Sequence, residues 1–170
     1  VSLRQIIVSP KPTPEADAKA LALVDSIIVE LREGADFATA AKRFGMDGTR
    51  ETGGDLGFFR RGAMVREFEE VAFQLKPGVI SNAVKSPFGY HVIQVTRAQP
   101  TEVQARHILI IPEVDSTGAL AAKVKVDNIA ALVAAGASFD SLQRIFHDQS
   151  EERDIVGIYV DSLPPAYAGA

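Results

Sequence analysis

The chain has 170 residues, a net charge of −4, 46% apolar and 24% charged residues, and no cysteine. That is enough for one ordinary domain or two small ones, with the composition of a soluble globular protein. It excludes disulfides and zinc–thiolate sites, and the acidic balance without a basic stripe argues against nucleic-acid binding. No apolar run reaches the ~18 residues that a membrane span needs. The chain starts at Val1 without a charged-then-apolar leader, which reads as a piece of something longer.

In chain order, Val1 to Ser9 reads as a strand closed by Pro10 and Pro12. Thr13 offers an N-cap, with Pro14 at the first helical position and Glu15 and Asp17 in the first turn. Ala20, Val24, Ile27, Ile28 and Leu31 make one apolar helical face, and Gly34 ends the helix. Asp36 caps a shorter helix that carries Phe37, Ala40, Ala41 and Phe44 inward. After a loop from Gly45 to Gly54, Gly57 to Arg60 reads as a short strand and Val65 to Leu75 as a short helix. Val79 to Lys85 and Tyr90 to Thr96 are strands around the turn Ser86-Pro87-Phe88-Gly89. The β-α-α-β-α-β-β order with short final links predicts an antiparallel sheet with helices packed around it.

After a polar link, Arg97 to Glu102, the pattern begins again: a strand from Val103 to Ile111 and a helix from Gly118 to Ala135. Gln5 and His107, Gly34 and Gly136, Phe37 and Phe139, and Phe44 and Phe146 all lie 102 residues apart. Later the spacing becomes 99, for Asp55 with Asp154 and Phe68 with Tyr167. A near-constant offset through several element types marks a duplicated domain. The expected division is residues 1–98 and 99–170, the second copy lacking its last strands, since by the same offset it runs to roughly residue 196. Such a copy exposes sheet edges and half a core, leaving self-association through it, with another chain supplying the strands, as one arrangement.

Gly53 to Phe68 combines loosening glycines with Leu56, Phe58, Phe59, Met64 and Phe68, a candidate wall for a shallow apolar pocket. The run Gly54-Asp55-Leu56-Gly57, then Met64 and Phe68, then Phe88-Gly89-Tyr90-His91-Val92-Ile93, resembles the parvulin (PpiC, rotamase) family of peptidyl-prolyl isomerases. The tandem copies resemble the SurA-type chaperone-isomerases of the bacterial cell envelope. The resemblance implies an α+β, FKBP-like fold, with a four-stranded antiparallel sheet surrounded by about four helices. It implies proline-containing unfolded or exported polypeptides as substrates, a periplasmic or envelope location, and no cofactor. Leu56, Phe59, Met64 and Phe68 match the apolar wall that receives the proline ring. Asp47 and His91 match family positions beside it, Ser86 is a hydroxyl residue nearby, and Phe88 falls on the pocket rim. Gln5 stands where the family's first strand carries a histidine, so the first module shows half of a histidine pair.

This departure leaves two readings: an isomerase, or a peptide-binding chaperone module that has kept the fold and lost catalysis. His107 is the matching first histidine of the second copy and is expected to be structural there, while His147 is expected at an exposed helix end. The three histidines lack metal-ligand spacing. The loop from Ser9 to Pro14 holds one lysine, which argues against a phosphate requirement.

Overall fold

Thr13 closes one segment and starts the first helix. Its Oγ1 accepts a hydrogen bond from the Ala16 amide (3.3 Å), and Pro14 occupies the first turn, where a missing N–H costs nothing. The structure, a computed structural model, describes residues 3–148, 151, 154 and 155. They divide into two units: Pro12–Glu113, and the residues through Lys11 together with those from Val114 onward.

In the Pro12–Glu113 unit, α1 (Pro14–Arg32) buries Ala20, Val24, Ile27, Ile28 and Leu31, the face that the spacing predicts. Asp36 caps α2 (Phe37–Phe44), accepting from the Thr39 amide and hydroxyl at 2.8 and 2.7 Å. A 3-10 turn (Arg50–Thr52), β2 (Asp55–Arg60) and α3 (Arg66–Ala72) follow, then β3 (Val84–Ser86), β4 (Gly89–Ala98) and β5 (Glu102–Ile110). The sheet order is β2-β5-β4-β3, antiparallel throughout. Three α-helices and the 3-10 turn accompany this sheet, so the α+β class and the four-stranded sheet are as expected.

Two strands differ from expectation. Val79–Ala83 is not regular strand; it is tied to β4 by one bridge, Ile80 to Gln94, and by Ser81, which bonds Ile93 through both its backbone and its hydroxyl. The larger difference is β5. The polar link after β4 is a tight turn, with the Gln99 amide donating to the Glu102 carbonyl (2.8 Å), and β4 and β5 form one long hairpin. β5 lies between β4 and β2, so it, and not the expected strand Val1–Ser9, is the fourth strand of this sheet. The compact unit Pro12–Glu113 is thus offset from the sequence repeat: the strand that opens the second copy is a central strand of this sheet.

Strand alternation splits the core in two. Tyr90, Val92, Ile108 and Ile110 face α1 and α2. Ile93, Val95, Val103 and Ala105 face the other way, against Phe59, Phe68, Ala72 and Val84. β2 needs its glycines here. Gly54 has φ +80°, its carbonyl accepts from the His107 amide (2.8 Å), and a Cβ on it would fall 2.1 Å from the His107 carbonyl oxygen.

The other unit contains β1 (Leu3–Arg4), α4 (Ser116–Ala134), α5 (Phe139–Phe146) and β6 (Asp154–Ile155), with β1 antiparallel to β6. Asp115 and Ser138 cap its helices. Among its described residues Val126 is 44% exposed, whereas Val24, its counterpart in α1, is 0% exposed. His147 is buried, not exposed as expected; its Nδ1 accepts from the Ile7 amide (3.1 Å) and its Nε2 lies 3.0 Å from the Glu151 carbonyl. Phe68's expected counterpart, Tyr167, lies outside the described residues.

Gly54→Ala is expected to destabilise the Pro12–Glu113 unit by at least about 1–2 kcal/mol from left-handed strain alone, before the clash with β5. Urea denaturation followed by circular dichroism measures this; an unchanged midpoint would contradict the place of β5.

Candidate active site

The site is built where the α2–β2 loop, β5, β4 and the β3–β4 turn meet. His91 stands opposite Leu109, and His107 opposite Ile93, so the two histidines are diagonal neighbours on one face of the hairpin. Their Nδ1 atoms are 3.1 Å apart. The ring planes differ by 17° with centroids 5.4 Å apart, too far for face-to-face stacking; the rings meet edge to edge.

The contacts continue on both sides. His107 Nε2 lies 3.0 Å from Asp47 Oδ2, and Thr49 Oγ1 donates to the same carboxylate at 2.9 and 3.1 Å. His91 Nε2 lies 2.7 Å from Ser86 Oγ, which accepts from the Phe88 amide (3.1 Å). With Asp47 ionised and both imidazoles neutral, one set of hydrogens satisfies every contact. His107 Nε2–H donates to Asp47, His91 Nδ1–H to His107 Nδ1, and the Ser86 hydroxyl to His91 Nε2.

Burial favours the same state. It pushes His91 down from 6.5 to about 4, helped by neighbouring His107 and opposed by Asp47. It also pushes His107 down, against the opposing pull of Asp47.

The apolar wall lies beside this row. Leu56 and Met64 are half-buried against the cluster that contains Phe59 and Phe68. Phe68 turns its ring edge-on to both histidines, at 5.4 Å and 79° from His91 and 5.7 Å and 84° from His107. Met64 is held by Glu69, a buried carboxylate that accepts from the Met64 amide (2.9 Å). Hydrogen bonds from the Gly62, Met64 and Ala63 amides hold its carboxyl below the usual range. Phe88 is 59% exposed at the tip of the β3–β4 turn.

The structure thus brings Asp47, His91, Ser86, Phe88, Leu56, Phe59, Met64 and Phe68 together. It does not bring Gln5. That residue belongs to the other unit, where its carbonyl accepts from Gln143 Nε2 (2.9 Å), and His107 takes the place expected for it. The sequence reading missed His107 as a member of this site, although the short link between two β-rich runs signals a hairpin. It also missed Glu69 and Thr49. Arg60, Arg61 and Arg66 each have a partner, Glu102, the Phe73 ring and Glu70 respectively.

The chain is similar to known proteins. Residues 1–99 match the model of the PpiC-type PPIase domain. Chaperone SurA of Cupriavidus pinatubonensis is 40% identical over 102 residues, covering 59% of this chain and 20% of the relative. Foldase protein PrsA 1 of Bacillus cereus is 52% identical over 68 residues, covering 39% of this chain and 24% of the relative. The crystal structure of the peptidylprolyl isomerase PrsA from Bacillus cereus superposes with a TM-score of 0.46 at 41% identity, covering 48% of this chain and 32% of that one. The matches span about a fifth of the length of that SurA and about a quarter of that PrsA.

The depressed histidines set a pH dependence. An unfolded chain takes up protons at these histidines below pH 6.5, while the folded His91 does not until about pH 4. Stability therefore falls as pH drops from 6.5 towards 4. Urea midpoints across that window should decline in the parent chain and decline less in His91→Gln; equal slopes would contradict a neutral, buried His91.

Proposed function

The chain belongs to the PpiC-type PPIase domain family, and from that premise we propose that its Pro12–Glu113 unit catalyses rotation about X–Pro bonds in unfolded or exported polypeptides. One observation carries this reading above the others: the hydrogen-bonded row Asp47–His107–His91–Ser86 lies against the apolar wall, and Phe68 touches both imidazoles.

The reaction needs no covalent step. The barrier to rotation is roughly 18–20 kcal/mol, set by the partial double bond of the amide. A thousand-fold acceleration requires about 4 kcal/mol of binding that is stronger at the twisted geometry than at the planar one. Twisting removes amide resonance and leaves a lone pair on the proline nitrogen. Leu56 and Met64, backed by Phe59 and Phe68, grip the ring and keep water away. The row beside them presents a polar edge whose tautomers are fixed, so it does not reorganise as the peptide twists. Asp47, held by Thr49 and His107, sets the charge at one end, and Ser86 sets the rim at the other.

A phosphorylated residue before proline is not required on this reading. Ile111, Pro112 and Glu113, which follow β5, contain no lysine or arginine to hold a phosphate. The partnered arginines near α3 likewise give no support to a preference for acidic peptides. A cell-envelope location rests on the family resemblance. Among the described residues no helix is long and apolar enough to cross a membrane.

A protease-free assay on a proline peptide tests the activity. Asp47→Ala and Met64→Ala are each expected to lower kcat/KM about tenfold or more, a loss of about 1.4 kcal/mol per tenfold. Glu69→Gln is expected to raise KM more than it lowers kcat, because it loosens the loop that presents Met64 and leaves the histidine row intact. Rates equal to the uncatalysed background in the parent chain would end the isomerase reading.

A further inference from the structure

Two backbone contacts of the Pro12–Glu113 unit recur at equivalent positions in the other unit, with the first strands traded. In the Pro12–Glu113 unit Asp55 pairs with Arg106; in the other unit Asp154 pairs with Arg4. Met46 donates its amide to the Leu109 carbonyl (3.0 Å); its counterpart Asp148 donates to the Ile7 carbonyl (2.8 Å). Arg4, Ile7, Asp55 and Met46 belong to the first copy of the sequence, Arg106, Leu109, Asp154 and Asp148 to the second. Each unit therefore takes its helices from one copy and the strand in this slot from the other.

We propose that this exchange is what completes the catalytic site. The slot between β2 and β4 accepts the first strand of either copy by pattern, since both alternate large apolar residues on both faces. The two strands differ at the decisive position: the first copy's own strand would bring Gln5 beside His91, while the second copy's strand brings His107. They differ in fit as well. Ala105 is fully buried against the Phe59–Phe68 cluster, and Leu3 at that register would put an isobutyl group where a methyl now sits. The functional isomerase is the composite of residues 12–113, not the contiguous first copy, and Gln5 marks the other unit as its counterpart without the histidine pair.

For its rate arm alone this inference rests on the isomerase reading. Because the chain has no cysteine, engineered pairs report which strand occupies the slot. In the full chain, Asp55→Cys with Arg106→Cys should close to a disulfide within a monomer on mild oxidation, and Asp55→Cys with Arg4→Cys should stay reduced, as read by peptide mapping. The opposite pattern overturns the exchange. In the proline-peptide assay, His107→Gln should cost about tenfold or more and Gln5→His should leave the rate unchanged. A rate raised by Gln5→His and untouched by His107→Gln would overturn it too. If the parent chain shows no acceleration, the isomerase reading fails, and the disulfide pattern still decides the strand.

Discussion

The insertion of β5 between β2 and β4 is the constraint on which the rest depends. One strand supplies hydrogen-bond partners to two neighbours, side chains to both cores, and an imidazole to the site. The chain reaches this arrangement cheaply from β4. A hairpin closes a loop of a few residues, whereas bringing Val1–Ser9 to β4 closes one roughly twenty times longer, a difference of about 2–3 kcal/mol in closure entropy for that sheet. Packing acts in the same direction. A leucine in place of Ala105, in a cluster with no exposed surface there, carries an overpacking cost of roughly 1–3 kcal/mol.

The site is polar but sits in apolar surroundings, and the hydrogen-bonded row reconciles the two. Burying an imidazole without partners is costly, and burying an imidazolium more so. Here each buried ring nitrogen has a partner, and the row ends on groups that are only half-buried, Asp47 and Ser86. Asp47 opposes the burial effect at both histidines without overcoming it at either. Protonating His91 would remove the acceptor that Ser86 uses, and Ser86 also receives the Phe88 amide. The charge state of His91 therefore sets the direction of the hydrogen bond that ties it to the rim.

Local signals in the sequence carried most of the elements. Thr13-Pro14 and Asp36 specify helix starts because capping is satisfied within a few residues. The apolar wall was legible because Leu56, Phe59, Met64 and Phe68 lie close together in the chain. Partner choice was not legible in the same way. The alternation in Val103–Ile111 shows a strand buried on both faces, but not which sheet buries it, and Val1–Ser9 carries the same alternation. Assigning strands by order gave Gln5 to the site and left His107 as a structural residue of an unfinished copy. The short link from Arg97 to Glu102 favours the hairpin, and its weight lies in closure entropy, not in any motif.

The glycines before β2 acquire their meaning from the same strand. Gly54 holds φ +80° with its carbonyl bonded to the His107 amide, so its backbone lies directly on the residue that completes the histidine pair. Any side chain at residue 54 would press on the His107 carbonyl and move the imidazole that Asp47 receives. The second copy has Arg153 before its aspartate where the first has Gly54, and the strand associated with that copy's β6 carries Gln5, which has no ring to position. Gly54 and His107 thus occur together, and the other unit's sequence has Arg153 and Gln5 at the equivalent positions. The glycine is a requirement of the imidazole that β5 delivers, and the loop from Asp47 to Asp55 is shaped by a strand that lies about fifty residues further along the chain.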